Sequence, residues 1–205
     1  MHWQKIPAFI SKNLIKRQPG ESTKAALEFL ILTAARSGEV RGMTWAEVDL
    51  DAKLWTIPAE RMKAGAVHRV PLPDRAIEIL EHQRDNCLHE SLVFPSPRGK
   101  VLSDMVFTEL LRRVKAESTT PDRMATAHGF RSSFRDWASE KGYARDLAER
   151  ALAHTVSNKV EAAYHRTDLL DQRHPMMQAW SQYVCSESKA ENVIARPALA
   201  AASNY

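Results

Sequence analysis

The amino-acid sequence predicts a mainly α-helical fold with one small antiparallel β-sheet, an α+β architecture, and three observations carry that prediction. Apolar residues recur at helical spacing in several segments, most densely in 23–36 (TKAALEFLILTAAR) and again at Phe130, Phe134, Trp137 and Ala138. Two short runs, 53–57 (KLWTI) and 68–72 (HRVPL), alternate apolar with polar residues instead, and a turn through Ala64-Gly65 joins them as a hairpin. The length, 205 residues, suits one domain with a hydrophobic core plus short appendages, and no internal repeat or Gly-rich phosphate loop interrupts it.

Composition narrows the class further. A net charge of +4 permits an anionic partner without demanding one, so the distribution of charge matters more than its sum. Two cysteines, Cys87 and Cys185, have neither CxxC nor Cys/His ligand spacing, which argues against a disulfide framework or a structural zinc site. No apolar run approaches the ~18 residues that span a bilayer, and the first twenty residues lack the apolar core of a signal peptide. A soluble, unexported protein of the reducing cytoplasm is expected, with no membrane partner.

Taken in order, residues 1–20 read as a lead-in whose Trp3, Ile6, Phe9 and Ile10 can dock on the domain before Gln18-Pro19-Gly20 ends it. Ser22 is a candidate N-cap for the segment 23–36, which is apolar on almost every side and so belongs at the centre of the core. Arg36 sits at its C-terminal end, before a break at Ser37-Gly38. A cation leaving a buried helix needs an anion, either a ligand or, equally well on this segment alone, Glu39 or Glu47. Thr44-Trp45-Ala46-Glu47 has the form of a capping box. Lys63 falls at the hairpin turn. Next come a helix from 74 to about 86 with Ala76, Ile77, Ile79 and Leu80 inward, and one capped by Ser103 that carries Met105, Val106, Leu110, Leu111 and Val114. Arg112, Arg113 and Lys115 make a basic face there, either solvated or apposed to a polyanion.

The chemistry-bearing residues crowd into 126–166. His128 and Arg131, three apart on a predicted helix that Gly142 ends, can leave from one face toward one target. Arginine offers a planar, permanently charged fork for phosphate oxygens, and histidine exchanges a proton near neutrality. After a short helix over 145–152 come His154 and, ten residues later, Tyr164 on a helix from 156 onward; a phenol becomes a nucleophile if ionising it from a reference pKa of about 10 is made easier. Each element alone has an ordinary structural explanation, as a cap, a solvated charge or a packing tyrosine; the ensemble points to phosphate chemistry. A last helix spans 169–184, with Pro175 expected to kink or interrupt it, and residues 186–205 read as a loosely ordered tail.

Five pieces, ILTAARSGEVRGMTW, RMKAGAVHRVPL, HGFRSSFRDWA, ALAH and VEAAYHR, occur in that order and resemble the catalytic domain of phage integrases, the tyrosine recombinases. The branch they look most like is the integrases of satellite phages and genomic islands, and the resemblance covers roughly residues 1–185. It implies the DNA breaking-rejoining fold, with a catalytic domain over 21–185. It also implies roles: Arg36 and Arg131 clamp the nonbridging oxygens of a scissile phosphodiester, Tyr164 attacks it to form a 3′-phosphotyrosyl link, His128 takes the tyrosine proton, His154 supports the phosphate, and Lys63 protonates the leaving 5′-oxygen. No metal or other cofactor is required by that scheme. The implied partners are double-stranded DNA attachment sites, met also by Lys115 and Arg166, further copies of the chain on DNA, and an accessory DNA-bending protein.

The resemblance has one departure. Family members carry further DNA-binding domains ahead of the catalytic one, whereas this chain begins where the linker should be, so weak DNA binding is expected. Three functions compete: site-specific recombination in prophage or genomic-island integration and excision, a type IB topoisomerase-like nicking and resealing, and a non-catalytic DNA-binding remnant.

Overall fold

The computed structural model describes residues 1–17, 21–86, 88–154 and 167–186. The described residues form helices α1 (Ile6–Asn13), α2 (Ser22–Thr33), α3 (Ser37–Arg41), α4 (Asp74–Asp85), α5 (Val106–Arg113), α6 (Ala127–Glu140), α7 (Arg145–Ala151) and α8 (Leu170–Val184) and one three-stranded sheet, β1 (Val48–Asp49), β2 (Leu54–Ile57) and β3 (His68–Pro71). The sheet is antiparallel in the order β1-β2-β3, with Trp55 opposite Val70 and Ile57 opposite His68. The α+β expectation is met, and β1 is an addition that two residues of sequence are too short to announce.

Helix α2 is the hub, as its all-round apolar sequence predicts. Every residue from Ala25 to Thr33 is buried, and the helix packs against α3, α4, α5, α6 and α8. Its one carboxylate, Glu28, is fully enclosed and is met by Arg75 at 2.8 Å and by Arg17, since an unpaired buried charge would be very costly. The Trp180 indole N–H donates to the Ile31 carbonyl at 2.8 Å, tying α8 to this helix. Trp180 also belongs to an aromatic cluster with Phe134, Trp137 and Tyr183, to which Tyr143 and Trp3 add their rings.

The lead-in residues dock as anticipated and pack into the same core. Ile6, Phe9, Ile10 and Leu14 are buried, and at about 1.5–3 kcal/mol for each large apolar side chain removed from water this attachment is strong. Three local expectations are corrected. Ser22 is the first residue of α2 and does not cap it by a side-chain bond; Glu21 takes the cap position. Met105 caps α5 and is exposed, while Ser103 contributes only its carbonyl, to the Val106 N–H. Helix α8 runs through Pro175 without interruption. The helix expected from 156 and the tail beyond 186 lie outside the described residues.

A candidate active site at the end of helix α7

Arg36 does not ride on α2 as the sequence suggested. Helix α2 stops at Thr33, and Ala34 adopts a left-handed conformation (φ 51°) that turns the chain. Arg36 follows in an extended conformation as the N-cap residue of α3. Glu39, buried within α3, accepts from the Arg36 backbone N–H at 2.7 Å and from its Nη1 at 2.8 Å, so one carboxylate fixes both ends of the residue. The Arg36 Nη2 donates to the Ala153 carbonyl at 3.1 Å.

Arg131 arrives at the same place from α6, whose N-terminus is set by the Thr126 side chain accepting from the Gly129 N–H at 3.0 Å. Only 4% of Arg131 is exposed. Its Nη1 donates to the Ala34 carbonyl at 2.5 Å and its Nη2 to the Leu152 carbonyl at 2.6 Å. The fork therefore joins the end of α2 to the end of α7. Burial, then the nearby Arg36 charge, lower the Arg131 pKa to about 10, with Glu39 opposing; the guanidinium stays charged at neutral pH. Two guanidiniums thus lie close enough to repel each other, and among the described residues Glu39 holds Arg36 and opposes that repulsion at Arg131.

His154 is the next residue after Ala153. Its Nδ1 contacts Glu149 Oε2, and its backbone N–H donates to the Glu149 carbonyl at 3.0 Å. Glu149 also pairs with Arg135 at 2.8 Å, so the imidazole is held by a carboxylate that is itself anchored. The structure accordingly brings Arg36, Arg131 and His154 to one helix end. Lys63 and His128 are exposed, and neither makes a hydrogen bond or ion pair among the described residues. The expectation that His128 and Arg131 share a face is met only loosely, because His128 faces solvent while Arg131 turns into the core. Lys115 is exposed at the end of α5 in a left-handed conformation (φ 51°). Tyr164 and Arg166 lie outside the described residues.

Three other cations of the hairpin region, Lys53, Arg61 and Arg69, are all engaged. Lys53 pairs with Asp74 at 2.7 Å, Arg61 is held by Glu47 and the Glu39 carbonyl, and Arg69 makes a two-pronged bond to Asp168 with both distances 2.8 Å. Burial alone would raise the Asp168 pKa, but the Arg69 hydrogen bond and the charges of Arg173 and Arg69 outweigh it and hold the carboxyl below its ordinary value. Arg173, buried on α8, completes this link through Asp168 at 3.2 Å and the Arg69 carbonyl at 2.8 Å. Glu39, three residues after Arg36, is the partner that the sequence offers as the alternative to a ligand, whereas Glu149 is a site neighbour that leaves no signal in the sequence.

The chain matches the phage integrase family over residues 5–169. It belongs to that family. It is 35% identical over 165 residues to prophage integrase IntA of Escherichia coli (strain K12), covering 80% of this chain and 39% of the relative. It is 33% identical over 196 residues to the integrase of Enterobacteria phage P4, covering 88% and 44%. The chain thus spans less than half the length of these relatives. Among solved structures, the XerH site-specific recombinase bound to difH aligns with a TM-score of 0.59 at 20% identity, over 80% of this chain and 52% of that one. The lambda integrase catalytic core aligns with a TM-score of 0.54 at 21% identity, over 77% and 90%. Both likenesses give the fold: a tyrosine recombinase catalytic core. No helix among the described residues is long and apolar enough to cross a membrane.

Proposed function

We propose that this chain is the catalytic domain of a site-specific DNA recombinase, with residues 21–185 as the catalytic unit and 1–20 as its lead-in. The observation that carries the reading is the pair Arg36 and Arg131, drawn from separate elements onto the end of α7, with Glu39 paired to Arg36. That leaves net positive charge where a phosphodiester's oxygens need it. In the proposed reaction the Tyr164 phenol oxygen attacks phosphorus as its proton passes to His128, a 3′-phosphotyrosyl bond forms, and the P–O5′ bond breaks. The departing oxygen takes a proton from Lys63. A 5′-hydroxyl of another strand then reverses the sequence, so bond energy is conserved without a nucleotide cofactor. The relatives named prophage integrase, and neighbours solved as a tetramer on a Holliday junction or a dimer on a core site, favour recombination between attachment sites by several copies on DNA over nicking and resealing alone.

The direct test is a nicked suicide duplex, which should trap a covalent protein–DNA adduct that resists detergent and forms equally well in chelator; a chain that never forms one is a DNA-binding remnant. Lys63 can be tested in the same assay. Lys63→Ala should fail on ordinary DNA and recover when the bridging 5′-oxygen is sulfur, whose thiolate leaves unprotonated. Equal impairment on both substrates would mean that Lys63 only positions the phosphate.

Lys115 and Arg166 are proposed as phosphate contacts outside the reacting centre. Asparagine tolerates the left-handed backbone of Lys115, so Lys115→Asn removes the charge with little strain. Binding to unrelated duplexes should weaken uniformly, with the log–log salt slope reduced by about one. An unchanged slope would take Lys115 out of the interface.

A further inference from the structure

Glu39 holds two arginines through two different groups. Its carboxylate accepts from the backbone N–H and the Nη1 of Arg36, and its backbone carbonyl, one of the last of α3, accepts from the Nη2 of Arg61. Arg61 lies 22 residues further along the chain, at the end of the single helical turn Ala59–Arg61 that leads from β2 into the hairpin. Its Nη1 is bound by both carboxylate oxygens of Glu47, and Glu47 in turn accepts from the indole N–H of the fully buried Trp55 at 2.9 Å. Gly42 leaves room for this fork. A Cβ there would stand 3.1 Å from the Arg61 Nη2, although the backbone at Gly42 (φ −97°) is open to other residues. Met62 is buried, and after it come the exposed residues 63–67, turned by a 3.0 Å bond from the Gly65 N–H to the Met62 carbonyl. Lys63 therefore follows, two residues on, a side chain fastened to the helix at whose N-cap Arg36 stands.

We propose that Arg61 is a positioning residue for Lys63, its guanidinium fastening the base of the hairpin to Glu39 so that the proton donor keeps a fixed reach to a phosphate held by Arg36. Lys63 itself is exposed and bonds to nothing among the described residues, so its direction is set by the backbone that carries it. A planar fork suits that task, because it satisfies a carboxylate and a carbonyl on two separate segments at once, which one point contact could not do. Lys53 and Arg69 pair with Asp74 and Asp168 instead, so among the described residues the bond from the hairpin's cations to α3 is made by Arg61. Loss of the fork would leave the turn anchored by Met62 alone on this side. A reacting group misplaced by about 1 Å, even through a change outside the chemistry, can cost on the order of 10²-fold in rate.

This inference rests on the recombinase reading and on Lys63 as the proton donor, and its test separates the three. Arg61→Met, Lys63→Ala and the double variant are compared with the wild-type chain in single-turnover cleavage of the suicide duplex, with oxygen or sulfur at the bridging 5′ position, and by hydrogen exchange of the 63–65 amides without DNA. Arg61→Met should cleave the oxygen substrate at least about tenfold more slowly, approach the wild-type rate on the sulfur substrate, and add little to the loss caused by Lys63→Ala. Its 63–65 amides should exchange faster than those of the wild-type chain. An arginine that only supports the fold would slow both substrates alike and multiply the defect of Lys63→Ala; either result overturns the proposal, as does a wild-type rate on oxygen. If Arg61→Met does not fold, Gly42→Ala, which crowds the guanidinium and keeps every charge, is judged on the same substrates: selective slowing on oxygen supports the proposal, and any other pattern overturns it. If sulfur does not rescue Lys63→Ala, Lys63 is not the acid, and the double variant alone decides whether Arg61 acts through it. A wild-type chain that forms no adduct counts against the recombinase reading, and unchanged amide exchange in Arg61→Met would then overturn the positioning role by itself.

Discussion

Arg131→Ala is expected to cut strand cleavage by about 10²–10³-fold, the usual cost of removing one preorganised donor from developing transition-state charge. The same substitution should lower stability, because the Ala34 and Leu152 carbonyls lose their donor inside a site where Arg131 is 4% exposed. Each carbonyl left unsatisfied costs about 1–3 kcal/mol, so the rate must be measured well below the melting midpoint of the variant. Arg131→Lys separates the two effects. It keeps the charge, but a point-like ammonium cannot reproduce a fork that spans two carbonyls, and cleavage should remain strongly impaired while DNA affinity largely persists. Cleavage by Arg131→Ala at the wild-type rate, in chain shown to be folded by circular dichroism, would remove Arg131 from the chemistry and leave it a purely structural link between α2 and α7.

Tyr164→Phe is expected to abolish the covalent adduct completely, since Tyr164 is the proposed nucleophile and phenylalanine lacks the oxygen that forms the phosphotyrosyl bond. Of the other tyrosines, Tyr143 and Tyr183 lie against Trp137 at ring-centroid separations of 5.4 and 6.3 Å and belong to the aromatic cluster of the core. Moving either phenol to a phosphodiester would break that packing. Peptide mapping of trapped adduct should therefore place the DNA on the peptide containing Tyr164. An adduct on another tyrosine, or one that survives in Tyr164→Phe, would overturn the assignment.

Much of the architecture was open to a reader of the sequence because its signals are local. The dense apolar run of α2, the capping box at Thr44, the alternation of β2 and β3, and the ordered motifs from Arg36 to Tyr164 all lie within short windows. Errors came where a local signal was weak or was outvoted. Helix α2 ends at a left-handed Ala34, a position where glycine is the usual marker, so the local pattern points to a break at Ser37-Gly38 and puts Arg36 on the wrong element.

By itself the sequence determined the fold class and the family, and it offered the residues proposed to handle a phosphate. The tertiary structure decided how they are held. Arg36 finds its carbonyl 117 residues away, and Arg131 joins one carbonyl 97 residues distant to another 21 away. It also decided that Lys53, Arg61 and Arg69 are occupied by partners. The physical reason is that orphan carbonyls at a helix end are a local consequence of chain geometry, whereas the donors that satisfy them are chosen by packing of remote elements, which residue spacing does not encode.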